Sequence, residues 1–189
     1  MKIKINNAIS DACFFLNKTD VQILLSGGTG SSEASINELN HLLACTRQVL
    51  KQIATDYIPC LFYEDIVVDD SERYAINSLT QCMLTVRSIE RSSGGKVSVH
   101  QENGYLILKK GNYHICYSYL PTVLDTSEEY TDFDGAITER VVAYGIVAEY
   151  FILSGQYDDA YIWERRFKDG LTNATKRLDN IVMGARQWR

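Results

Sequence analysis

Tyr113-His114-Ile115-Cys116-Tyr117-Ser118-Tyr119-Leu120-Pro121 is the stretch on which the fold turns. Tyr113, Ile115, Tyr117 and Tyr119 alternate with His114, Cys116 and Ser118. Apolar and aromatic residues at a period of two specify a β-strand. Pro121 and Pro59 are the only prolines of the chain, and they bracket a segment unlike its flanks. Inside it, β-branched and aromatic runs are broken by turn residues. Outside it, apolar residues recur at helical spacing. The sequence therefore reads as an α+β fold, with an antiparallel β-sheet or sandwich inserted at about residues 60–121.

Upstream of that stretch, strands are expected at 61–68, 74–79, 83–89, 97–101 and 105–108. Glu102-Asn103-Gly104 is a hairpin signal, because Asn-Gly accepts the positive φ angles of a tight turn. Ser92-Ser93-Gly94-Gly95 marks a further turn. The sheet is expected to be built of hairpins. Lys109-Lys110 then sits at a hairpin tip, and residues 113–120 form an exposed edge.

The flanks predict a four-helix frame near 5–16, 34–56, 138–154 and 157–182. Ile5, Ala8, Ile9, Ala12, Phe15 and Leu16 share one face of the first helix, and residues 17–20 read as a cap or turn. Ile36, Leu39, Leu42, Leu43, Val49, Leu50 and Ile53 stripe the second, with Ser35 and Glu38 spaced as a capping box. Val141, Tyr144, Ala148, Phe151 and Ile152 stripe the third, which Gly155 closes. Ala160, Trp163, Phe167, Leu171, Ala174, Leu178 and Ile181 stripe the fourth. Residues 26–32, Ser-Gly-Gly-Thr-Gly-Ser-Ser, have the composition of a flexible linker. The expected organisation is a single domain over 1–189, with 34–58 and 136–189 as a helical bundle and 59–122 as the insertion.

The 189 residues suit one domain and bury enough surface for a core without disulfides or metal. The net charge of −5 is not the footprint of an autonomous duplex-DNA binder. No apolar run approaches the ~20 residues of a membrane span. The N-terminal residues lack an apolar signal core, so a cytosolic site of synthesis and no membrane partner are expected. Cys13, Cys45, Cys60, Cys82 and Cys116 are widely spaced without a C-x-x-C pair, and read as five small buried hydrophobes.

Chemical motifs are weak throughout. The glycines at 27–30 lack the Lys of a P-loop and the third Gly of a dinucleotide fingerprint. Asp132-x-Asp134-Gly135 matches part of a calcium loop, but Tyr130 and Val141 fall where oxygen ligands belong. His41 and Cys45 have metal-ligand spacing without an evident third ligand, and His114 has no orienting acid that sequence can assign. Paired carboxylates occur at Asp69-Asp70, Glu128-Glu129 and Asp158-Asp159, all at element ends. No enzyme, no metal and no cofactor is expected.

Charge is uneven along the chain. Residues 158–189 carry +2, through Arg165, Arg166, Lys168, Lys176, Arg177, Arg186 and Arg189 against five acids, which leaves −7 on the rest. The chain closes on Arg186, Trp188 and Arg189, and Arg and Trp are enriched at binding hot spots.

Residues 141–150, Val-Val-Ala-Tyr-Gly-Ile-Val-Ala-Glu-Tyr, are followed by Ser154-Gly155-Gln156-Tyr157-Asp158-Asp159-Ala160 and Trp163-Glu164-Arg165-Arg166-Phe167. This pattern resembles the closing helix pair of the head–tail connector (adaptor) proteins of tailed bacteriophages, and the resemblance extends over about 34–189. It implies a non-catalytic virion protein at the head–tail junction, made in the host cytoplasm. It implies self-association into a ring, typically twelve-fold, between portal protein and tail or nozzle proteins, which extends the double-stranded DNA channel. By position, Arg186, Trp188 and Arg189 become a portal-docking tail. Lys109 and Lys110 become a possible DNA-channel contact, and Arg165, Arg166, Lys168, Lys176 and Arg177 a subunit-interface helix. The alternative reading is a small cytosolic peptide-binding module that adds a β-strand at the edge formed by 113–120. A metal-dependent enzyme using His114 or the acidic loop at 125–134 is a third.

Overall fold

The structure, a computed structural model, describes residues 3–28, 32–121, 133 and 137–178. It is an α+β protein with five α-helices and two three-stranded antiparallel sheets among those residues. The chain divides into a helical unit, Met1–Gln52 with Val123–Arg189, and a β unit, Ile53–Thr122.

In the helical unit, Ile5, Ala8, Ile9 and Ala12 form the buried side of α1 (Ile5–Phe15), as their spacing predicts. Leu16 and Asn17 end it. The Lys18 N–H reaches the Cys13 carbonyl at 2.8 Å, and Asn17 takes the left-handed φ of 55°. The apolar run that follows is a helix of its own, α2 (Thr19–Leu25), which makes five helices rather than four. Gly27 and Gly28, read as linker, close α2. Gly27 has φ 80°, its N–H bonds Leu24 O, and the Gly28 N–H bonds Ile23 O at 3.0 Å. That pair of bonds is the Schellman cap, and a left-handed position favours glycine. Residues 29–31 of the same run lie outside the described residues.

The helix α3 (Glu33–Gln52) runs on into a π-helical turn at Ile53–Tyr57. Its cap is not the expected Ser35–Glu38 box. Ser32 Oγ accepts the Ser35 N–H at 3.1 Å, one turn earlier, which leaves Glu38 free for a tertiary contact. The helix α4 (Glu139–Leu153) packs against α1, α3 and α5 (Tyr157–Leu178). Of the expected stripe on α4, Val141, Tyr144 and Phe151 are half-buried and Ile152 is exposed. Only Ala148 is buried, alongside Val142, Ala143, Gly145, Ile146 and Val147, which surround most of the helix. A helix with neighbours on three sides is apolar nearly all round, so no single stripe exists to be read.

In the β unit, β1 (Cys60–Val68), β3 (Met83–Arg91) and β6 (Gly111–Tyr119) form one sheet in the order β1-β6-β3. The short strands β2 (Arg73–Ala75), β4 (His100–Glu102) and β5 (Tyr105–Ile107) form the other, in the order β2-β5-β4. The Asn-Gly hairpin is as expected, with Glu102 opposite Tyr105 and positive φ at Asn103 (48°) and Gly104 (82°). The first sheet is not built of hairpins. Its middle strand is the last in sequence, and β6 pairs with β1 from Cys60↔Tyr119 to Val68↔Gly111. Residues 113–120 are therefore not an exposed edge. Tyr113, Ile115, Tyr117 and Tyr119 are buried on one face, and Cys116 and Ser118 on the other. A strand apolar on both faces belongs inside a sheet. Lys109 and Lys110 likewise lie on the connection between the two sheets rather than at a hairpin tip.

Candidate functional site

The corner between α4 and α5 is built by Gly155. Its φ is 74°, the Gly155 N–H bonds Ile152 O, and the Gln156 N–H bonds Phe151 O at 2.9 Å. The chain reverses within two residues, and α5 packs back along α4. Asp158 and Asp159 occupy the first turn of α5, where the helix dipole favours negative charge. Two glycines bring the helices close. A Cβ on Gly145 would sit 2.9 Å from the Phe167 ring and 2.7 Å from Val49, and one on Gly170 would sit 2.8 Å from Val141. Ala160, Phe167, Leu171 and Ala174 are the buried face of α5, as the sequence pattern predicts. Trp163 is half-buried, while the Leu178 side chain and Ile181 lie outside the described residues.

A side face of the helix, about a quarter turn from the buried one, is unusual. Tyr157 is 69 % exposed and Tyr161 67 % exposed, one helical turn apart. Arg165 and Lys168 continue the same stripe, and both are exposed. Leu153, Ile152 and Ile162, also exposed, flank the two tyrosines. The result is a group of exposed apolar and aromatic side chains at the α4–α5 corner, followed along α5 by the mixed charges of Glu164, Arg165, Lys168 and Asp169. Lys168 is tied to Glu164 at 2.6 Å across one turn. Arg166 points elsewhere, with its guanidinium 4.7 Å from the Trp163 ring centre. Trp163, Phe15 and Tyr144 make a ring cluster with centroids 5.0–5.7 Å apart, which Arg140 also covers. Of the five expected interface cations, then, Arg165 and Lys168 share the stripe and Arg166 serves the ring cluster. The side chains of Lys176 and Arg177 lie outside the described residues, as do Arg186, Trp188 and Arg189.

A second surface, which the sequence reading missed, is the outer face of β1. The strand alternates strictly. Leu61, Tyr63, Asp65 and Val67 are exposed, and Ile66 and Val68 are buried. Tyr63 and Val67 are each 70 % exposed. Asp69 and Asp70 follow directly. No alternation in the sequence could have found it, because residues 61–68 read Leu-Phe-Tyr-Glu-Asp-Ile-Val-Val, with tyrosine, leucine and valine at outward positions.

No family model matches the chain, and no curated relative does.

The remaining candidates resolve as local structure. Asp65 contacts His114 directly across the β1–β6 ladder, so His114 does have an acid partner, but both side chains are exposed. His41 packs against Tyr150, with ring centroids 5.2 Å apart and the planes tilted by 43°. Burial, and then Glu149, pushes the Cys45 thiol up to about 11. Among the described residues no three His, Cys, Asp or Glu side chains gather as a metal site. The acidic loop at 125–132 and Asp134 lie outside the described residues. Lys110 pairs with Asp70 at 2.9 Å in an exposed ion pair. Cys82 is exposed, contrary to expectation, whereas Cys13, Cys45, Cys60 and Cys116 are buried. No helix among the described residues is long and apolar enough to cross a membrane.

Glu38, released from capping, accepts the Tyr150 hydroxyl at 2.7 Å and pairs with Lys18 at 3.0 Å. Burial alone raises its carboxyl, but the bonds from Tyr150 and Lys18 together outweigh that and hold it below its ordinary value. This network ties α3 to α4 and to the chain between α1 and α2. On α4, burial pushes the Glu149 carboxyl above its ordinary value, and Glu164 on α5 adds to the rise.

Proposed function

We propose that this chain is a structural adaptor subunit that forms a ring between a phage portal and its tail, with a helical frame carrying a β insertion. The observation that carries this reading is the α4–α5 pair. The residues that resemble the closing helices of connector proteins form a tightly packed antiparallel pair. Its inner face is closed by glycine contacts, and its outer face leaves Leu153, Tyr157, Tyr161 and Ile162 open beside Arg165 and Lys168. Large apolar side chains left exposed at one corner support an association surface there. Ring closure needs such surfaces on two different faces of each subunit.

In this reading the body's net −7 keeps packaged DNA from adhering to the channel wall, and Lys109 and Lys110 supply at most a local phosphate contact. Arg186, Trp188 and Arg189 dock into the portal. The protein is a virion component with no catalytic role. The test is co-migration of the purified chain with portal protein of the same phage on size exclusion. A complex with several copies per portal is expected. Removal of residues 184–189 leaves the fold intact and weakens the complex. Elution of the two proteins as separate species, at micromolar concentration of each, overturns the reading.

A further inference from the structure

Two segments of the β unit hold cations without acids. Residues 91–96, Arg-Ser-Ser-Gly-Gly-Lys, and 109–112, Lys-Lys-Gly-Asn, carry Arg91, Lys96, Lys109 and Lys110 and no carboxylate, in a chain of net charge −5. The fold lays the two segments side by side, where β3 ends and β6 begins. The Ser92 N–H donates to Asn112 O at 3.1 Å. The turn itself is closed by the Gly94 N–H on Arg91 O at 2.8 Å and the Arg91 N–H on Gly95 O at 3.0 Å. The buried Tyr113 ring serves both segments. Its hydroxyl donates to Lys109 O at 2.7 Å, and the Arg91 guanidinium sits 6.0 Å from the ring centre.

Between the segments is an open cavity of about 460 Å³, lined by Arg91, Ser92, Ser93, Lys110, Gly111 and Asn112. Two cations, two hydroxyls and one side-chain amide belong to that lining, and no carboxylate does. Among the described residues the Arg91 guanidinium has no ion pair, and the side chains of Ser92, Ser93 and Asn112 make no hydrogen bond. A guanidinium fork beside hydroxyl and amide donors suits a tetrahedral oxyanion, which accepts several N–H and O–H bonds at once. We infer that this cavity binds a phosphate group. The adaptor reading bears only on where that phosphate comes from. Under it, the phosphate belongs to the backbone of the DNA in the channel, and the cavity makes one local contact that carries no sequence information.

Lys110 enters with a partner. Its Nζ meets the Asp70 carboxylate at 2.9 and 3.1 Å, and both side chains are exposed. Such a pair is weak and yields to a stronger acceptor. Asp70 is therefore a competitor of the incoming anion for Lys110. Removing Asp70 should tighten phosphate binding, whereas removing a ligand should weaken it, so the two changes carry opposite signs.

The test is made on the full chain. Inorganic phosphate replaces chloride at constant ionic strength, and the backbone amides are followed by heteronuclear NMR. The amides of Ser92, Ser93 and Asn112 should shift and saturate. Arg91→Gln should weaken binding about tenfold, as the loss of a hydrogen bond to a charged group does. Asp70→Asn should tighten it about threefold, the effect of releasing an exposed ion pair. Lys168→Gln removes the same charge on α5 and should leave the affinity unchanged. These side chains are all exposed, so the variants are expected to fold, and circular dichroism checks this. Amides that do not shift overturn the inference. So does an unchanged affinity in Arg91→Gln or Asp70→Asn, or an equal loss in Lys168→Gln.

A second arm distinguishes the sources. A short DNA duplex at low salt, read by fluorescence anisotropy, should bind the unaltered chain and lose affinity with Arg91→Gln. Phosphate binding without duplex binding leaves the cavity as a site for free phosphate groups and overturns the link to channel DNA. If the chain joins the portal and phosphate moves no amide, only this inference falls. If phosphate binds as described and no portal complex forms, the cavity stands and the adaptor reading falls.

Discussion

Replacing Gly145 by alanine sets two effects against each other, and the structure decides between them. Glycine inside a helix costs about 1 kcal/mol relative to alanine, so propensity alone favours the change. The new Cβ, however, would lie 2.7 Å from Val49 Cγ1 and 2.9 Å from Phe167 Cε2, where ordinary contact is 3.4–4 Å. Val49 and Phe167 are both fully buried, so neither can swing into solvent. Overpacking of this kind costs roughly 1–3 kcal/mol. The net expectation is a loss of about 1 kcal/mol, or ~2–4 °C in Tm for a chain of this size. Gly170→Ala is the internal control. Its new Cβ meets Val141, which is only half-buried and can yield, so propensity and strain nearly cancel. Thermal melts followed by the helical signal in far-ultraviolet circular dichroism read both variants. If Gly145→Ala melts higher than the unaltered chain, the close approach of α4 to α5 and α3 is wrong. The geometry of the outer stripe then loses its support.

Gly155→Ala forces a side chain into φ 74° and should destabilise by roughly 1 kcal/mol without any steric clash, read by the same melts. An unchanged Tm would mean that the corner is not the cap described. Glu149→Gln should stabilise at neutral pH and lose that advantage in acid. The folded carboxyl is raised above its unfolded value, so its favourable contribution is complete below the unfolded pKa and is lost as pH rises through the folded one. Melts at neutral and at acid pH that show an equal gain would refute the burial of Glu149. In native protein an alkylating reagent should label Cys82 first. Cys13 and Cys45, buried and with thiols pushed up to about 11 chiefly by burial, should react only on unfolding. Intact-mass analysis during labelling checks the order, and early loss of Cys45 would contradict its packing.

What the sequence made legible was local. The periodicities of α1 and α5, the Asn103-Gly104 turn and the Gly155 stop each depend on residues within one or two turns of chain. What it hid was non-local. The central position of β6 depends on pairing with residues up to 59 positions away, from Cys60 to Tyr119, which no window over 113–120 contains. The face of α4 could not be read because three neighbours surround it. The cap at Ser32 was missed because Glu38 offered equally good local chemistry and is used by Tyr150 instead. The α5 stripe was half legible. Its cations stood out by charge, but the tyrosines that give it an apolar end became visible only once Phe167 and Leu171 fixed which side is buried. The outer face of β1 gave no warning, since its exposed residues are of the kind that usually fill a core.

The central claim is that this chain assembles as a ring on a portal. Imaging the chain by cryo-electron microscopy in complex with portal protein tests it most directly. The account predicts a closed ring of copies beneath the portal. Portal particles that carry no added ring, or single copies scattered without contact between them, would contradict it.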